Sequence, residues 1–541
     1  MYSVSETVAR VLAPNVDTYF GIMGNGNAWF VDALERLDCG IIPVRHEVGT
    51  VAAADAYHRV TGKIAVATTT YGPGFTNTIT ALVESAKSRV PMLLVTGSAP
   101  QDNPRPWDID QAALAASFGV KTFTVTPKDV AQKTREALYF AARNRIAVVL
   151  EIPYDLAASK AIDPELETIL NAETYVPKPD AIHPRATQVH DVAKLLTDAT
   201  NPLILAGRGA KSASHQVIAL ANHLHADVAT TAPAQGLFNV EGKFRDLGIC
   251  GGFAAENAAE EIRRADVILV IGAGLNQFTT AFGEAFGETT TVIQIDVEQQ
   301  ATHACVNYFL HGSAIETVEA LIAELTLERA PRKRDSVALL AREDGDALAP
   351  DGRLDPRSLM REINDALPAE RIVVTDGGHF IGWANTYLDV PAADHMVLLG
   401  TATQSIGLGF NSAVGVATAA GKDKMSVLVT GDGGGLMAMA DAESFIRQAH
   451  RGVIVVINDA AYGAEIHQYG TKGLQEEPML IPEVDFATIL AGMGARSQVV
   501  RTLDDLSEFQ EWVNSGEPGT YALDCRVSRA VIAPYMQEFI R

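Results

Sequence analysis

Cysteine is scarce in this chain. Four stand among 541 residues, at Cys39, Cys250, Cys305 and Cys525, with no CxxC spacing. That scatter excludes a disulfide framework and a cysteine zinc site, and it suits a reducing compartment. The expected location is the cytoplasm. Basic charge is short as well: 43 lysines and arginines face 66 aspartates and glutamates, a formal net charge of −23. So acidic a surface argues against nucleic acid and anionic membranes as partners. An anionic ligand would need positive potential supplied locally, by backbone amides or a bound cation. No apolar run approaches the length that spans a bilayer. The opening residues, MYSVSETVARVLAP, read as an amphipathic helix without the apolar core of a signal peptide.

What the chain has is length and alternation. At about 150 residues per domain, it divides into three or four domains. Its densest pattern runs from Met425 to Asp459. The apolar run Val427-Leu428-Val429 reads as a buried parallel strand. Gly431-Asp432-Gly433-Gly434-Gly435 follows, a turn whose backbone N–H groups can come close to a ligand. A helical segment comes next, with Met437, Ala440, Phe445 and Ile446 on its apolar side. A second buried strand, Val453–Ile457, ends at Asn458-Asp459. In a strand–helix–strand unit both strand ends share one sheet edge. Asp432 and Asn458 are therefore expected side by side, where open α/β sheets bind ligands. A carboxylate and an amide oxygen beside a helix start suit Mg²⁺ bridging to phosphates. The turn alone reads equally well as an ordinary tight turn; the strand-terminal Asn at this spacing separates the two.

Residues 1–165 alternate helices and strands, which implies a parallel, doubly wound sheet. The expected strands are Thr18–Ile22, Gly40–Val44, Ile64–Thr69, Met92–Thr96 and Ala147–Ile152, with helices at 28–37, 48–57 and 75–87. Glu47 opens the helix after Arg45-His46, a place the helix dipole favours for an acid. Asp155–Pro184 reads as a linker. Residues 185–335 form a second α/β unit, with strands Pro202–Ala206, Asp227–Thr230, Val267–Ile271 and Thr291–Ile295. There Gly207-Arg208-Gly209 and Gly272-Ala273-Gly274 are either dinucleotide cradles or empty turns. Ala330–Gly352 carries dense mixed charge and reads as a second linker. The third unit, 354–541, has strand Arg371–Thr375 leading to Asp376-Gly377-Gly378-His379, then the glycine-rich stretch Gly400–Val416.

The Gly431–Asn458 element resembles the GDG…N motif that holds thiamine diphosphate (ThDP) and Mg²⁺ in ThDP-dependent enzymes. Nearly the whole chain is similar to the acetolactate synthase, pyruvate oxidase and 2-oxo acid decarboxylase superfamily. Arg45-His46-Glu47 resembles its catalytic-glutamate segment, and Gly72-Pro73-Gly74-Phe75-Thr76-Asn77 its GPGxTN. The resemblance implies an α/β fold of three doubly wound parallel-sheet domains: pyrimidine-binding, central and diphosphate-binding. It implies Glu47 as the catalytic glutamate, with Pro73 and Asn77 lining the cofactor pocket. Asp432, Asn458 and the carbonyl of Ala460 would ligate Mg²⁺, and Gly431, Gly433, Gly434 and Gly435 would receive the diphosphate with His379. Gln404, Ser405 and Ile406 would underlie the cofactor, Ile406 as the wedge that bends it. Tyr462, Gly463 and Ala464 would complete its site.

In the superfamily one cofactor lies between two subunits, so a homodimer or homotetramer is expected. The implied reaction joins or breaks a C–C bond beside the carbonyl of a 2-oxo acid, by decarboxylation and carboligation of the acetolactate synthase type. Asn25, Gly26, Asn27, Tyr71, Gln111, Glu465 and His467 are the substrate-side candidates. His467 reads as a surface residue beside the loop 470–478. Departures from the family pattern keep two alternatives open, a 2-hydroxyacyl-CoA lyase and a cyclic-diketone hydrolase. A CoA site would call on Arg208 and Lys211. A non-catalytic protein with a relic site is the alternative of another class, and the joint presence of Glu47, Asp432 and Asn458 argues against it. The segment Gly272–Gln277 departs from that of FAD-binding members, so neither FAD nor ADP is favoured in the central domain.

Overall fold

The computed structural model describes residues 2–325 and 338–536. Among these, three six-stranded sheets carry the fold, and all their ladders are parallel. The first holds β1 (Tyr19–Gly21), β2 (Ile42–Pro43), β3 (Val66–Thr69), β4 (Met92–Ser98), β5 (Lys121–Thr124) and β6 (Ala147–Pro153). The second holds β7 (Pro202–Ala206), β8 (Asp227–Thr230), β9 (Arg245–Ile249), β10 (Val267–Ile271), β11 (Thr291–Asp296) and β12 (Tyr308–His311). The third holds β13 (Arg371–Thr375), β14 (Met396–Leu398), β15 (Met425–Gly431), β16 (Arg451–Asn458), β17 (Arg496–Val500) and β18 (Gly519–Arg526).

The first sheet runs β2-β1-β3-β4-β6-β5 and the third β14-β13-β15-β16-β18-β17. Counted within each sheet these are one and the same order, with the reversal between its first and third strands. The middle sheet, β12-β11-β10-β7-β8-β9, has the order of a dinucleotide-binding sheet. Central strands β4, β6 and β15 are buried throughout, as continuous apolar runs demand when helices cover both faces. One hydrophobic cluster joins the first and third sheets. Its seam is the helix Glu47–Thr61 packed on the helix Gly409–Ala420.

The expected strands are present, and the differences have local causes. The stretch 40–44 shrinks to β2, an edge strand whose Pro43 has no N–H to give. Helix 75–87 divides into Pro73–Thr76 and Ile79–Lys87. There the Thr76 and Thr78 hydroxyls bond the carbonyls of Pro73 and Phe75, competing with the helical ladder. The segment after the glycine turn also divides, into Asp432–Met437 and Ala442–Gln448. Between them Asp441 turns away to accept from Arg45 N, Asn411 and Ser444. Phe445 is buried as expected, but Met437 and Ala440 are exposed. Short strands β5, β9, β12, β14 and β17 escaped the pattern, and so did β18, which carries Asp524 and ends in Arg526.

Asp155–Pro184 is a strap laid on two domains: Ser159 O accepts from Val4 N, and Ile182 exchanges bonds with Ser313. Of the second expected linker, residues 330–337 lie outside the described residues, as do Met1, 326–335 and 537–541 of the expected domains. No helix among the described residues is long and apolar enough to cross a membrane.

Candidate active site

Gly431 of β15 pairs with Ile457 of β16, so Asp432 and Asn458 leave adjacent strand ends side by side. Both are buried. The Asp432 carboxylate accepts from Gly433 N at 2.8 Å and Ala461 N at 3.2 Å. Asn458 Nδ2 donates to Asp524 Oδ1 at 2.9 Å and Val484 O at 3.1 Å. Both amide protons are thereby used, which fixes the side chain and leaves its buried Oδ1 without a partner. Asp459 is buried nearby; desolvation raises its pKa and that of Asp432, and the Asp432 charge pushes Asp459 further. Ala460 takes the left-handed conformation, φ 59°. Its carbonyl accepts from Ile481 N at 3.0 Å and keeps a second lone pair. An orphaned amide oxygen, an unneutralised buried carboxylate and a backbone carbonyl form an all-oxygen donor set. It fits Mg²⁺, which completes its octahedron from phosphate and water.

The glycines of the turn serve packing as well as access. A Cβ at Gly433 would come within 2.6 Å of the Tyr462 ring, and one at Gly434 within 2.6 Å of Asp376 Oδ2. Asp376 closes the end of β13, across the strand-order reversal from Gly431. Its Oδ1 accepts from Gly377 N, Gly407 N and Leu408 N, and Thr430 donates to Oδ2. The loop carrying Gln404, Ser405 and Ile406 is thus tied through Asp376 to the start of the glycine turn. Gln404 sits at φ 55°, Ser405 Oγ lies 2.8 Å from Thr403 Oγ1, and Ile406 is half-buried against Gly377.

His379 is buried, and its Nε2 accepts from Ala533 N at 2.8 Å. Burial and the neighbouring His467 lower its pKa to about 3. The ring is therefore neutral, and its proton is on Nδ1, beside Gly463. His467 is not the surface residue expected. The helix Gly463–Tyr469 turns it inward to 4.6 Å from the His379 ring, with Nε2 unpartnered, while Glu465 and Tyr469 face outward. Tyr535, which sequence reasoning missed, donates from Oη to the carbonyls of Gly378 and His379. Only its place as the aromatic of Ala533-Pro534-Tyr535-Met536 could have marked it.

In the first domain Asn77 Nδ2 donates to Glu47 Oε2 at 3.0 Å. His46 caps the same helix, accepting from Val48 N. The Glu47 side chain is 20% exposed, and Pro73 and Asn77 are exposed beside it. Two substrate-side candidates have side chains engaged within the chain. Asn27 is buried and spent on Gly24 N, Ile22 O and Thr68. Gln111 is buried and bridges Gly72 N, Gly97 O and Glu151. Gly26 lies under the Tyr71 ring, and the exposed Asn25 accepts from Thr70. In the middle domain Arg208 donates to Ser88 O of the first domain, and Lys211 is half-buried, its pKa lowered by desolvation to about 7. They form a junction between domains, not the basic surface a CoA site would need.

Three family models match in chain order. They are the thiamine pyrophosphate enzyme N-terminal TPP binding domain at residues 2–115, the central domain at 189–321 and the C-terminal TPP binding domain at 376–522. A protein named "Probable acetolactate synthase large subunit" from Methanocaldococcus jannaschii is 26% identical, over 98% of this chain and 93% of its own. The acetolactate synthase isozyme 2 large subunit of Escherichia coli K12 is 27% identical, over 96% and 94%. The structure of a thiamine diphosphate-dependent 4-hydroxybenzoylformate decarboxylase from Rhodococcus jostii RHA1 superposes with a TM-score of 0.79 at 20% identity, covering 97% of this chain and 99% of that one. Sheet order, domain sequence and end-to-end likeness agree: the chain belongs to the thiamine pyrophosphate enzymes and is a thiamine-diphosphate-dependent enzyme.

Proposed function

We propose that the enzyme uses Mg²⁺ with ThDP to decarboxylate a 2-oxo acid and join the remaining fragment to a second carbonyl, as acetolactate synthases do. The observation that carries the metal half is the pair of adjacent strand ends, with Asn458 Oδ1 buried and unpartnered beside the Asp432 carboxylate. Asp432, Asn458 and the Ala460 carbonyl would hold the cation. The amides of Gly433, Gly434 and Gly435 would take the diphosphate oxygens, with His379 Nδ1–H as a further donor. When bound, the cofactor supplies a nucleophilic carbon and accepts the electron pair that the substrate carboxyl leaves behind. Glu47, steadied by Asn77, would hold a proton at the pyrimidine nitrogen. Ile406 would press the cofactor from below, and Glu465, exposed on the helix after the metal loop, would face substrate. The likeness to acetolactate synthases along the full chain supports the synthase reading over the simple decarboxylase.

The test is incubation with ThDP, Mg²⁺ and pyruvate, with CO₂ and the organic product identified. Acetolactate is expected. Acetaldehyde would make the enzyme a decarboxylase. No CO₂ from any 2-oxo acid, with ThDP bound, would overturn the donor class. For the metal site, Asp432→Ala is expected to abolish Mg²⁺-dependent ThDP binding by calorimetry, and unchanged affinity would displace the site.

A further inference from the structure

Glu84 lies on the helix Ile79–Lys87 of the first domain, 0% exposed. Its carboxylate leaves its own domain. Oε2 accepts from Thr403 N at 3.0 Å and Thr403 Oγ1 at 2.8 Å, and Oε1 accepts from Ala402 N at 3.3 Å. Those residues open the third-domain loop that ends in Ile406. Beyond it, Asp376 holds the other side of that loop through Gly407 N and Leu408 N. Only Gln404, Ser405 and Ile406 lie between the two grips. That short span is unusual backbone, with Gln404 at φ 55° and Ser405 N donating to Gly400 O. A Cβ at Gly377 would come within 3.1 Å of Ile406 Cγ2, so the wedge has no slack on its inner side.

The carboxylate is fixed by the first and third domains, and the middle domain braces it one step away through Ser88. Arg59, buried on the helix that Glu47 opens, pairs with Asp55 and lies 3.6 Å from Glu84. It also donates to Leu398 O at 3.0 Å, just before the loop. Ser88 donates to Glu84 Oε1, and Arg208 of the middle domain donates to the Ser88 carbonyl. A buried ion pair of this kind gains little net stability and is better suited to setting geometry.

We propose that Glu84 is a positioning residue: its buried carboxylate, gripping Ala402 and Thr403 across the domain boundary, sets where Ile406 stands under the cofactor. This rests on the reading of Ile406 as the wedge. Glu84 is fully buried and its carboxylate is spent on protein groups, so it acts through the loop. Its attachment to Arg59 makes the helix behind Glu47 and the loop carrying Ile406 parts of one rigid assembly.

The test compares Glu84→Gln with the parent enzyme in two states. Glutamine keeps the size but replaces one of the two acceptor oxygens with an N–H₂ donor, so either the Thr403 bonds or those of Ala402 and Ser88 are lost. In cofactor-free protein, amides 402–408 should exchange about tenfold faster while those of 431–435 are unchanged. In the loaded enzyme, ThDP affinity should stay within about threefold while hydrogen exchange at cofactor C2 slows at least about tenfold. Thr403→Val removes only the hydroxyl link, should move both readouts the same way by less, and carries the test if Glu84→Gln does not fold. Unchanged loop exchange would overturn the proposal. A loosened loop with unchanged C2 exchange would also overturn it, leaving Glu84 a structural residue only. A parent that binds no ThDP would defeat the functional reading instead, and the loop amides would still report on the grip.

Discussion

Glu47 is held but not hidden. Asn77 fixes one carboxylate oxygen at 3.0 Å, yet the side chain keeps 20% of its exposure in the single chain. A carboxyl that shares a proton with a ring nitrogen needs both that fixed direction and a free oxygen. Glu47→Gln should preserve folding and ThDP binding while slowing C2 hydrogen exchange by at least about 100-fold, the usual weight of one acid–base group. Exchange that stayed fast would remove Glu47 from the role. His379 gives a pH prediction with a definite sign. Its pKa falls from 6.5 free to about 3 folded, through burial and then His467. Stability from this group is complete above pH about 6.5 and is lost as pH falls toward about 3, because the unfolded chain binds the proton first. The slope approaches about 1.4 kcal/mol per pH unit. His379→Gln, which keeps an acceptor for Ala533 N–H, should flatten this acid limb in denaturant titrations from pH 7 to 4; an unchanged limb would assign it to other groups.

Elements show why some of the site could be read in advance and some could not. Asp432, Asn458 and Glu47 sit at the ends of strands or the start of a helix that a local pattern announces. β15 and β16 carry the apolar runs Val427–Val429 and Val453–Ile457, and a strand–helix–strand unit leaves one choice of edge. His467 depended on helix phase within Gly463–Tyr469, and no neighbour in sequence says that His379 waits on the inner side. Glu84 and Thr403 are 319 positions apart, so their bond is invisible to any local period. Asn27 and Gln111 stand at helix starts, where polar side chains bond turns as often as ligands, and no local pattern tells the two uses apart. The seam between helices Glu47–Thr61 and Gly409–Ala420 makes an element-scale prediction. A Cβ at Gly415 would overlap the Ala53 carbonyl oxygen, so the helices meet as closely as backbone allows. Gly415→Val should force the first and third sheets apart and cost about 1–3 kcal/mol, as overpacking does. It should slow C2 exchange more than a surface variant of equal melting temperature. A melting temperature equal to the parent's would show that the seam can yield.

At the scale of the whole molecule, the single chain leaves open the surfaces proposed to face the cofactor. Glu47, Asn77 and Pro73 are accessible, and beyond the glycine turn Leu436 and Met437 are 38% and 57% exposed. Apolar side chains beside a buried acidic pair are poor solvent surface. In the proposed dimer a second copy of the chain covers them and brings its own Glu47 within reach of the proposed metal site. Such a shared site couples cofactor binding to association by mass action. At a cofactor concentration of about 100 times its dissociation constant, each filled site adds about 2.7 kcal/mol to the dimer. Sedimentation equilibrium should therefore show the dimer strengthened at least about 100-fold by ThDP with Mg²⁺. Met437→Asp should weaken both dimerisation and ThDP affinity, while circular dichroism stays that of the parent. Dilution should release cofactor as chains separate. If the monomer instead kept its ThDP at every protein concentration, one chain would supply the whole site, and the open face around Glu47 would need another explanation.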